Sequence, residues 1–396
     1  MLKIKMYPAG NGDAFLIRFE GVNILIDGGY ASTFDQHIRN DLKSIALSGE
    51  SLSLVIATHI DADHISGLLT LLRANGNAAN PQIIRIDHVW HNSLRSLVCQ
   101  ASDEPEGFAR MMLESIRKRG YPKPVASDAR PQEISARQGS SLANLLRIGG
   151  YNWNLGDGTQ LISTFNTPSV ELHSAIIQVI GPSAERMDGL QRLWITELRK
   201  KGYQGPVGSG ELLDDAFEFL CANAPERIKK KPVLISANQN QRLNDIYEPD
   251  TSIPNGSSIA TIIELGNKRM LFLADSWVED LLEQLHKLAA AGHSMLFDAI
   301  KISHHGSVCN TSPALLELID APIYLVSSNG KQHGHPDFPV LRAIVDRPAP
   351  FHRKIYLNYR TPASIRLSEY QSSSGAGFTV IEGGNDWIEM ELADNE

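Results

Sequence analysis

The sequence predicts an α/β fold in which two similar sheets pack face to face, with helices outside and polar strand ends gathered along one edge. Three observations predict it. Strand-length apolar runs and segments of helical periodicity follow one another along the 396 residues. Hydrophobic residues make up 42% of the chain and charged residues 21%, ordinary globular composition with material for a large core. One pattern also occurs twice: a hairpin ends in Asp27 and a strand ends in His59 32 residues later, and a second hairpin ends in Asp275 and a strand ends in His304 29 residues later.

The elements follow in order. "DAFLIRFE" and "VNILIDGG" alternate as a half-buried hairpin that turns at Gly21. After a polar, mixed segment the strand "SLVIAT" ends at His59, and Ile65, Leu68, Leu69 and Leu72 then mark a helix packed behind it. "QIIRIDHVW" reads as a further strand. "FARMMLESIRKRG" and "SSLANLLRIGG" read as helices, and a strand pair runs to "AIIQVIGP". Residues 184–256 read as a mostly helical insertion and residues 100–150 as another, both within one domain spanning 1–396. The second hairpin, around "LGNKR", ends at Asp275. Val278, Leu281, Leu282 and Leu285 mark the next helix, which Ser276 and Glu279 are spaced to cap. "FDAIKISHHGS" is a strand ending in histidine, "SPALLELID" a helix, "APIYLVSSNG" a strand and "HGHPDFPVLRAIV" a loop and helix. "KIYLN", "SIRLSEY" and "GFTVIEG" read as strands.

The formal net charge is -8, which argues against a broad basic nucleic-acid surface but not against a local one. Lys229, Lys230 and Lys231 read as a solvated run, with a phosphate-backbone contact as the sharper alternative. The cysteines, Cys99, Cys221 and Cys309, form no C-x-x-C pair, which leaves no disulfide framework and no thiolate zinc knuckle. Pro8 and Gly10 interrupt any signal-peptide core, and no apolar run approaches the ~18 residues of a membrane span. A cytoplasmic protein with no membrane contact is the expectation.

The chemistry lies in "THIDADHISG", where His59, Asp61, Asp63 and His64 leave the end of a strand. One helix cap needs one side chain rather than four. Imidazoles and carboxylates together suit zinc, with manganese or iron as alternatives where carboxylates dominate. Asp275 and His304, arriving from distant strand ends, complete one site, and Asp275 is able to bridge to a second. A centre of this kind brings the pKa of bound water to about 7.

"NGDAFLI" with "ILIDGG", "THIDADHISG", "NGSSIATIIELGNKRMLFLAD", "IKISHHGS" and "NGKQHGHP" together resemble the successive motifs of the metallo-β-lactamase fold hydrolases, in particular the hydrolase domain of ComEC-type competence proteins. The resemblance implies an αββα sandwich, one or two metal ions at its edge and hydrolysis by a metal-activated water. The ComEC-type members are thought to act on DNA, but this chain lacks their membrane channel. Two departures stand out. Asp61 occupies the place of the second histidine of H-x-H-x-D-H, and Gly181 the place of the third-motif histidine, for which His91 and His173 are candidate substitutes. His59 and Asp61 are then left to a weak first metal site, and Asp63, His64, Asp275 and His304 form a tight second one.

The repeat favours His304 over His305 as the ligand, leaving His305 to face substrate or hold the loop. Asp27 is read as an anchor of the ligand loop, and Ser307 as a substrate-contacting or loop-holding group. Asp63 is expected to bind metal and orient the nucleophilic water, and His335 is either a loop residue or the group that meets the leaving oxygen. The leading functional expectation is a phosphodiesterase or nuclease with nucleic acid as partner. Hydrolysis of a lactone, thioester or β-lactam is the enzymatic alternative. A non-catalytic metal-binding scaffold that presents its 184–256 insertion to an unknown protein partner is the third.

Overall fold

Glu20 and Gly21 both adopt left-handed backbone, φ 46° and 82°, which gives the two-residue turn whose twist matches an antiparallel hairpin. From that hairpin the first sheet grows outward. The structure, a computed structural model, describes residues 1–98, 105–120, 140–223, 241–331 and 333–391. The run Lys229 to Lys231 and Cys99 lie outside them.

The first sheet has six strands, in chain order β1 (Leu2–Met6), β2 (Phe15–Phe19), β3 (Val22–Ile26), β4 (Leu54–Ile56), β5 (Val89–Trp90) and, arriving from the far end of the chain, β14 (Trp387–Met390). They lie side by side as β14-β1-β2-β3-β4-β5, antiparallel up to β3 and parallel from β3 to β5. The second sheet holds β6 (Ser169–Leu172), β7 (Ala175–Gly181), β8 (Ala260–Leu265), β9 (Lys268–Phe272), β10 (Ala299–Lys301), β11 (Ile323–Val326), β12 (Arg353–Leu357) and β13 (Phe378–Glu382) in uninterrupted sequence order. Here too the strands run antiparallel as far as β9 and parallel from there to β13. The repeat read from the sequence is therefore a repeat of topology: hairpin β2–β3 with parallel β4, and hairpin β8–β9 with parallel β10.

Alternation of side chains across each strand divides the core into three layers. Ile24 and Ile56 from one sheet and Ile263 and Phe272 from the other fill the space between the sheets, with the Phe15 and Phe272 rings edge to face at 5.6 Å. Their neighbours Leu25 and Val55 point outward to helix Ala62–Asn75, while Ile262 and Leu271 point outward to helix Val278–Ala290. The result is an αββα sandwich. Helices Gly107–Arg117, Leu142–Gly149, Ala184–Lys200 and Glu211–Ala222 thicken the layer over the first sheet, where Met112, Leu142, Trp194 and Phe217 continue the core begun by Leu68 and Leu72. Glu218 fastens this layer by accepting hydrogen bonds from the backbone N–H groups of Leu142 and Ala143, at the positive end of a helix.

Several local expectations are corrected. "SIRLSEY" falls in helix Pro362–Ser368, started by a reciprocal Thr361/Ser364 cap with Pro362 in the first turn, a signal stronger than its short alternation. "QIIRIDHVW" forms a strand only at Val89–Trp90, with an isolated bridge from Ile86 to Leu52, and the Asn75 side chain takes the N–H groups of Ile83 and Ile84 at its start. Ser276 does not cap the following helix, whose N-cap is Trp277 without a side-chain bond. Its backbone carbonyl instead receives the Ser303 hydroxyl at 3.0 Å. The polar segment after Asp27 is helical over Arg39–Leu47, and β1 and β14 are strands that the sequence reading does not single out. Among the described residues no helix is long and apolar enough to cross a membrane.

Candidate metal centre

Because β3 and β4 run parallel, Asp27 and His59 leave the same edge of the first sheet, and because β9 and β10 run parallel, Asp275 and His304 leave the same edge of the second. Asp61 is the N-cap residue of helix Ala62–Asn75, and Asp63 and His64 lie in its first turn. Close backbone contact seats that helix. Gly28 N donates to His64 O and Gly67 N to Gly29 O, both at 2.8 Å, and a Cβ on Gly67 would lie 1.9 Å from Gly28 O. On the other side of Asp63, a Cβ on Gly12 would lie 1.8 Å from its carbonyl oxygen, and the Asn11 amide donates to Asp63 Oδ2 at 2.7 Å.

Fully buried, Asp27 accepts from Thr58 N at 2.8 Å and from the Thr58 hydroxyl at 2.7 Å, and its Oδ2 lies 2.8 Å from His64 Nδ1. One carboxylate thus ties the end of β3 to the ligand loop and turns His64 Nε2 toward the centre. Asp27, Ala274, His304 and His305 all adopt left-handed backbone, with φ between 43° and 56°. Non-glycine residues hold such conformations at about 1–3 kcal/mol each, and strain of this kind concentrates at functional sites.

At the centre lies Asp275 Oδ2. His64 and His305 Nε2 lie 3.5 Å from it, His304 Nε2 3.7 Å and His59 Nε2 4.0 Å, while Asp61 Oδ2 is 3.6 Å from His59 Nε2. These separations exceed hydrogen-bond length. They approach the ligand-to-ligand edge of a tetrahedral zinc site, about 3.4 Å for bonds of about 2.0–2.1 Å. Among the described residues the buried Nε2 atoms of His59 and His64 have no hydrogen-bond partner, as expected of lone pairs aimed at a cation. Among the described residues, four overlapping groups bring ligand atoms close enough to share an ion: His59, His64 and Asp275; Asp63, His64 and His305; Asp275, His304 and His305; and Asp13, Asp27 and His64, of which the last is taken up by hydrogen bonding and ion pairing. The donor set is nitrogen and oxygen, so the residues fit a borderline divalent ion.

Around this centre, His304 Nδ1 meets Asn310 Oδ1 at 2.7 Å and the Asn255 amide at 3.4 Å, and both amides donate to Asp250 Oδ2. His305 Nδ1 lies 3.3 Å from Asp13 Oδ1, and Asp13 pairs with the buried Lys301. His335 is buried with its ring 5.4 Å from that of His304, and its Nδ1 is 3.1 Å from Asp337 Oδ2. Ser307 closes the histidine turn: its N–H donates to His304 O, and its hydroxyl accepts from Cys309 N.

The charges are mutually held. Burial alone would lower His64 and His305, yet Asp275 raises both, helped by Asp27 for His64 and by Asp13 for His305. Burial would raise Asp275, but the surrounding histidines, His305 first, hold it well below the usual carboxylate range. A divalent ion held by these residues would compete with protons for the imidazoles.

The structure brings together His59, Asp61, Asp63, His64, Asp275 and His304, and it presents His304 and His305 alike to Asp275, where the repeat favours His304. His91 and His173 are not brought in. His91 is buried against Glu218 at 2.8 Å, and His173 is exposed in the β6–β7 turn. The reading passed over Asp13, Lys301, Asp250 and Asn310, because each is a lone polar residue whose partner is distant in the chain.

Residues 7–90 match the family model of the metallo-beta-lactamase superfamily. That match covers the first hairpin, the strand that leads to His59 and the helix behind it. The matched span holds Asp13, Asp27, His59, Asp61, Asp63 and His64, and the second sheet brings Asp275, His304 and His305 to them from outside it. No curated protein matches the chain. Solved structures similar to it include the metallo-beta-lactamase fold protein YhfI from Bacillus subtilis, 9% identical with TM-score 0.38, covering 98% of this chain and 100% of that one. A diphosphatase of the PhnP family is 9% identical with TM-score 0.39, covering 99% of each chain. A CmlA beta-hydroxylase mutant is 14% identical with TM-score 0.37; the match covers 98% of this chain and 54% of the hydroxylase. These distant likenesses carry no conclusion about substrate.

Proposed function

We propose that this protein is a metal-dependent hydrolase of the metallo-β-lactamase superfamily, of its ComEC-type branch, and a phosphodiesterase with nucleic acid as its first candidate substrate. The observation that carries the hydrolase reading is the single oxygen of Asp275 faced by four imidazole Nε2 atoms at 3.5–4.0 Å. The chemistry a divalent ion supplies at such a position is activation of water near neutral pH and polarisation of the oxygen under attack. Zinc is the first candidate, with manganese or iron as alternatives. We assign one tight position to Asp63, His64, Asp275 and His304 or His305, and a weaker one to His59 and Asp61.

The remaining roles belong to the chain itself. Asp63, fixed by Asn11, orients the attacking water and takes its proton at the carboxylate. His335, steered by Asp337, donates a proton to the leaving oxygen from the rim beside His304. Phosphodiester specificity rests on the motif resemblance, and the acidic net charge keeps ester and thioester substrates in the test. Purified protein reloaded with zinc or manganese is assayed on single-stranded DNA, duplex DNA, a chromogenic phosphodiester and a chromogenic ester. Metal-dependent cleavage of a phosphodiester, abolished by Asp63→Ala, is the expected result. Turnover of the ester alone reassigns the bond, and no turnover of any substrate by the metal-replete protein leaves the scaffold reading.

A further inference from the structure

Lys301 is a buried lysine in the middle of an apolar strand end, and a lone ammonium there is unfavourable unless every part of it is used. Its contacts are with Asp13, Ala274 and Asp275. The Nζ pairs with Asp13, donates to Ala274 O at 2.9 Å immediately before Asp275, and lies 3.6 Å from Asp275 Oδ1. That Oδ1 is buried and has no hydrogen-bond partner among the described residues, while Oδ2 is the atom that faces the four imidazoles. Asp13 in turn presents its other oxygen to His305 Nδ1 at 3.3 Å, which leaves His305 Nε2 aimed at Asp275 Oδ2. The pair also joins the two sheets: Asp13 precedes β2 of the first, and Lys301 ends β10 of the second.

We propose that Lys301 and Asp13 are positioning residues that divide the two oxygens of Asp275, committing Oδ1 to the ammonium and Oδ2 alone to the metal, and that set His305 to bind through Nε2. The inference rests on the metal-centre reading above. A pair present only to balance charge has a different signature. Removing one ammonium beside a cation site raises the local negative charge, so a purely electrostatic role predicts tighter metal binding by Lys301→Met with unchanged coordination. Positioning predicts the reverse: Oδ1 is released, Asp275 is free to offer both oxygens, and the geometry loosens.

The test uses cobalt(II) alone as probe, with visible ligand-field absorption and equilibrium competition for the metal as readouts, on wild type, Lys301→Met and the double variant Asp13→Asn with Lys301→Met. The double variant leaves no unpaired buried ion, so it keeps the test available if the single variant does not fold. Both variants are expected to show shifted cobalt bands and metal binding weakened about 10–100-fold, the usual effect of losing a residue that orients a ligand. Wild-type bands and affinity in the double variant, or tighter binding with unchanged bands in Lys301→Met, overturn the positioning role. A wild type that takes up no cobalt overturns the metal-centre reading itself and is distinguishable from both.

Discussion

At the scale of single residues, the centre separates groups that face a cation from groups that aim them. Asp27 belongs to the second kind: its two oxygens are taken by Thr58 and His64. Asp27→Asn removes one acceptor and the charge that favours His64 in its present orientation, and metal affinity is expected to fall about 10–100-fold by competition titration, with the fold retained by circular dichroism. Undiminished affinity would show that the loop holds itself. His335→Gln is expected to lower kcat about 100-fold on the substrate finally identified, with KM and metal content nearly unchanged. A loss confined to leaving groups of high pKa supports proton donation, whereas equal loss on all substrates contradicts it. The ligand candidates were legible because polar residues at the ends of apolar strands stand out in sequence. Asp13 and Lys301 were not, since a single charge in "NGDAFLI" or "AIKIS" reads as an ordinary outward-facing side chain until the two sheets are stacked.

At the scale of elements, helix Ala62–Asn75 decides whether the cluster assembles, and its seat is the contact of Gly67 with Gly28. Gly67→Ala places a methyl carbon 1.9 Å from the Gly28 carbonyl oxygen, so the helix must move as a unit. Overpacking of this kind destabilises by about 1–3 kcal/mol, and here it carries Asp63 and His64 away from Asp275. Loss of metal together with a lower Tm is expected; a lower Tm with full metal content would mean that the helix start is independent of its seat. Helix Glu211–Ala222 gives a pH prediction away from the centre. Burial pushes Asp214 up to about 7, against hydrogen bonding from Ser209 that lowers it, with the Glu218 charge adding to the rise. Because its folded pKa lies above the unfolded value, the stability it contributes is fully present below about pH 4 and is lost as pH rises through about 7. Asp214→Asn should remove that decline, so its Tm relative to wild type rises between about pH 5 and about pH 8. A constant difference across that range contradicts the assignment. Periodicity located most of these helices, but it misread "SIRLSEY", where the Thr361 cap and Pro362 outweigh a short alternation, and it overextended "QIIRIDHVW", where the Asn75 side chain takes the N–H groups of Ile83 and Ile84.

For the whole molecule, the hairpin-and-parallel-strand unit occurs in both sheets, and the metal centre exists only where the two copies meet edge to edge. The doubled pattern ending in Asp27 and His59, then in Asp275 and His304, made that architecture readable before any coordinates. Helices Ala184–Lys200 and Glu211–Ala222 were readable from their periodicity, but their packing over the first sheet through Trp194 and Phe217 depends on distant contacts that no local pattern encodes. The candidate ligands come from both sheets, so an ion shared by them would link metal binding to the union of the sheets. At a free metal concentration about 1,000 times Kd, that linkage contributes about 4 kcal/mol to stability. The most direct test of the centre is X-ray absorption at the zinc edge on protein purified with zinc. Nitrogen and oxygen neighbours, with the outer-shell scattering of several imidazoles per zinc, are the predicted result. Absence of stoichiometric metal, or a first shell containing sulfur, would contradict a centre built from Asp275 and its four histidines.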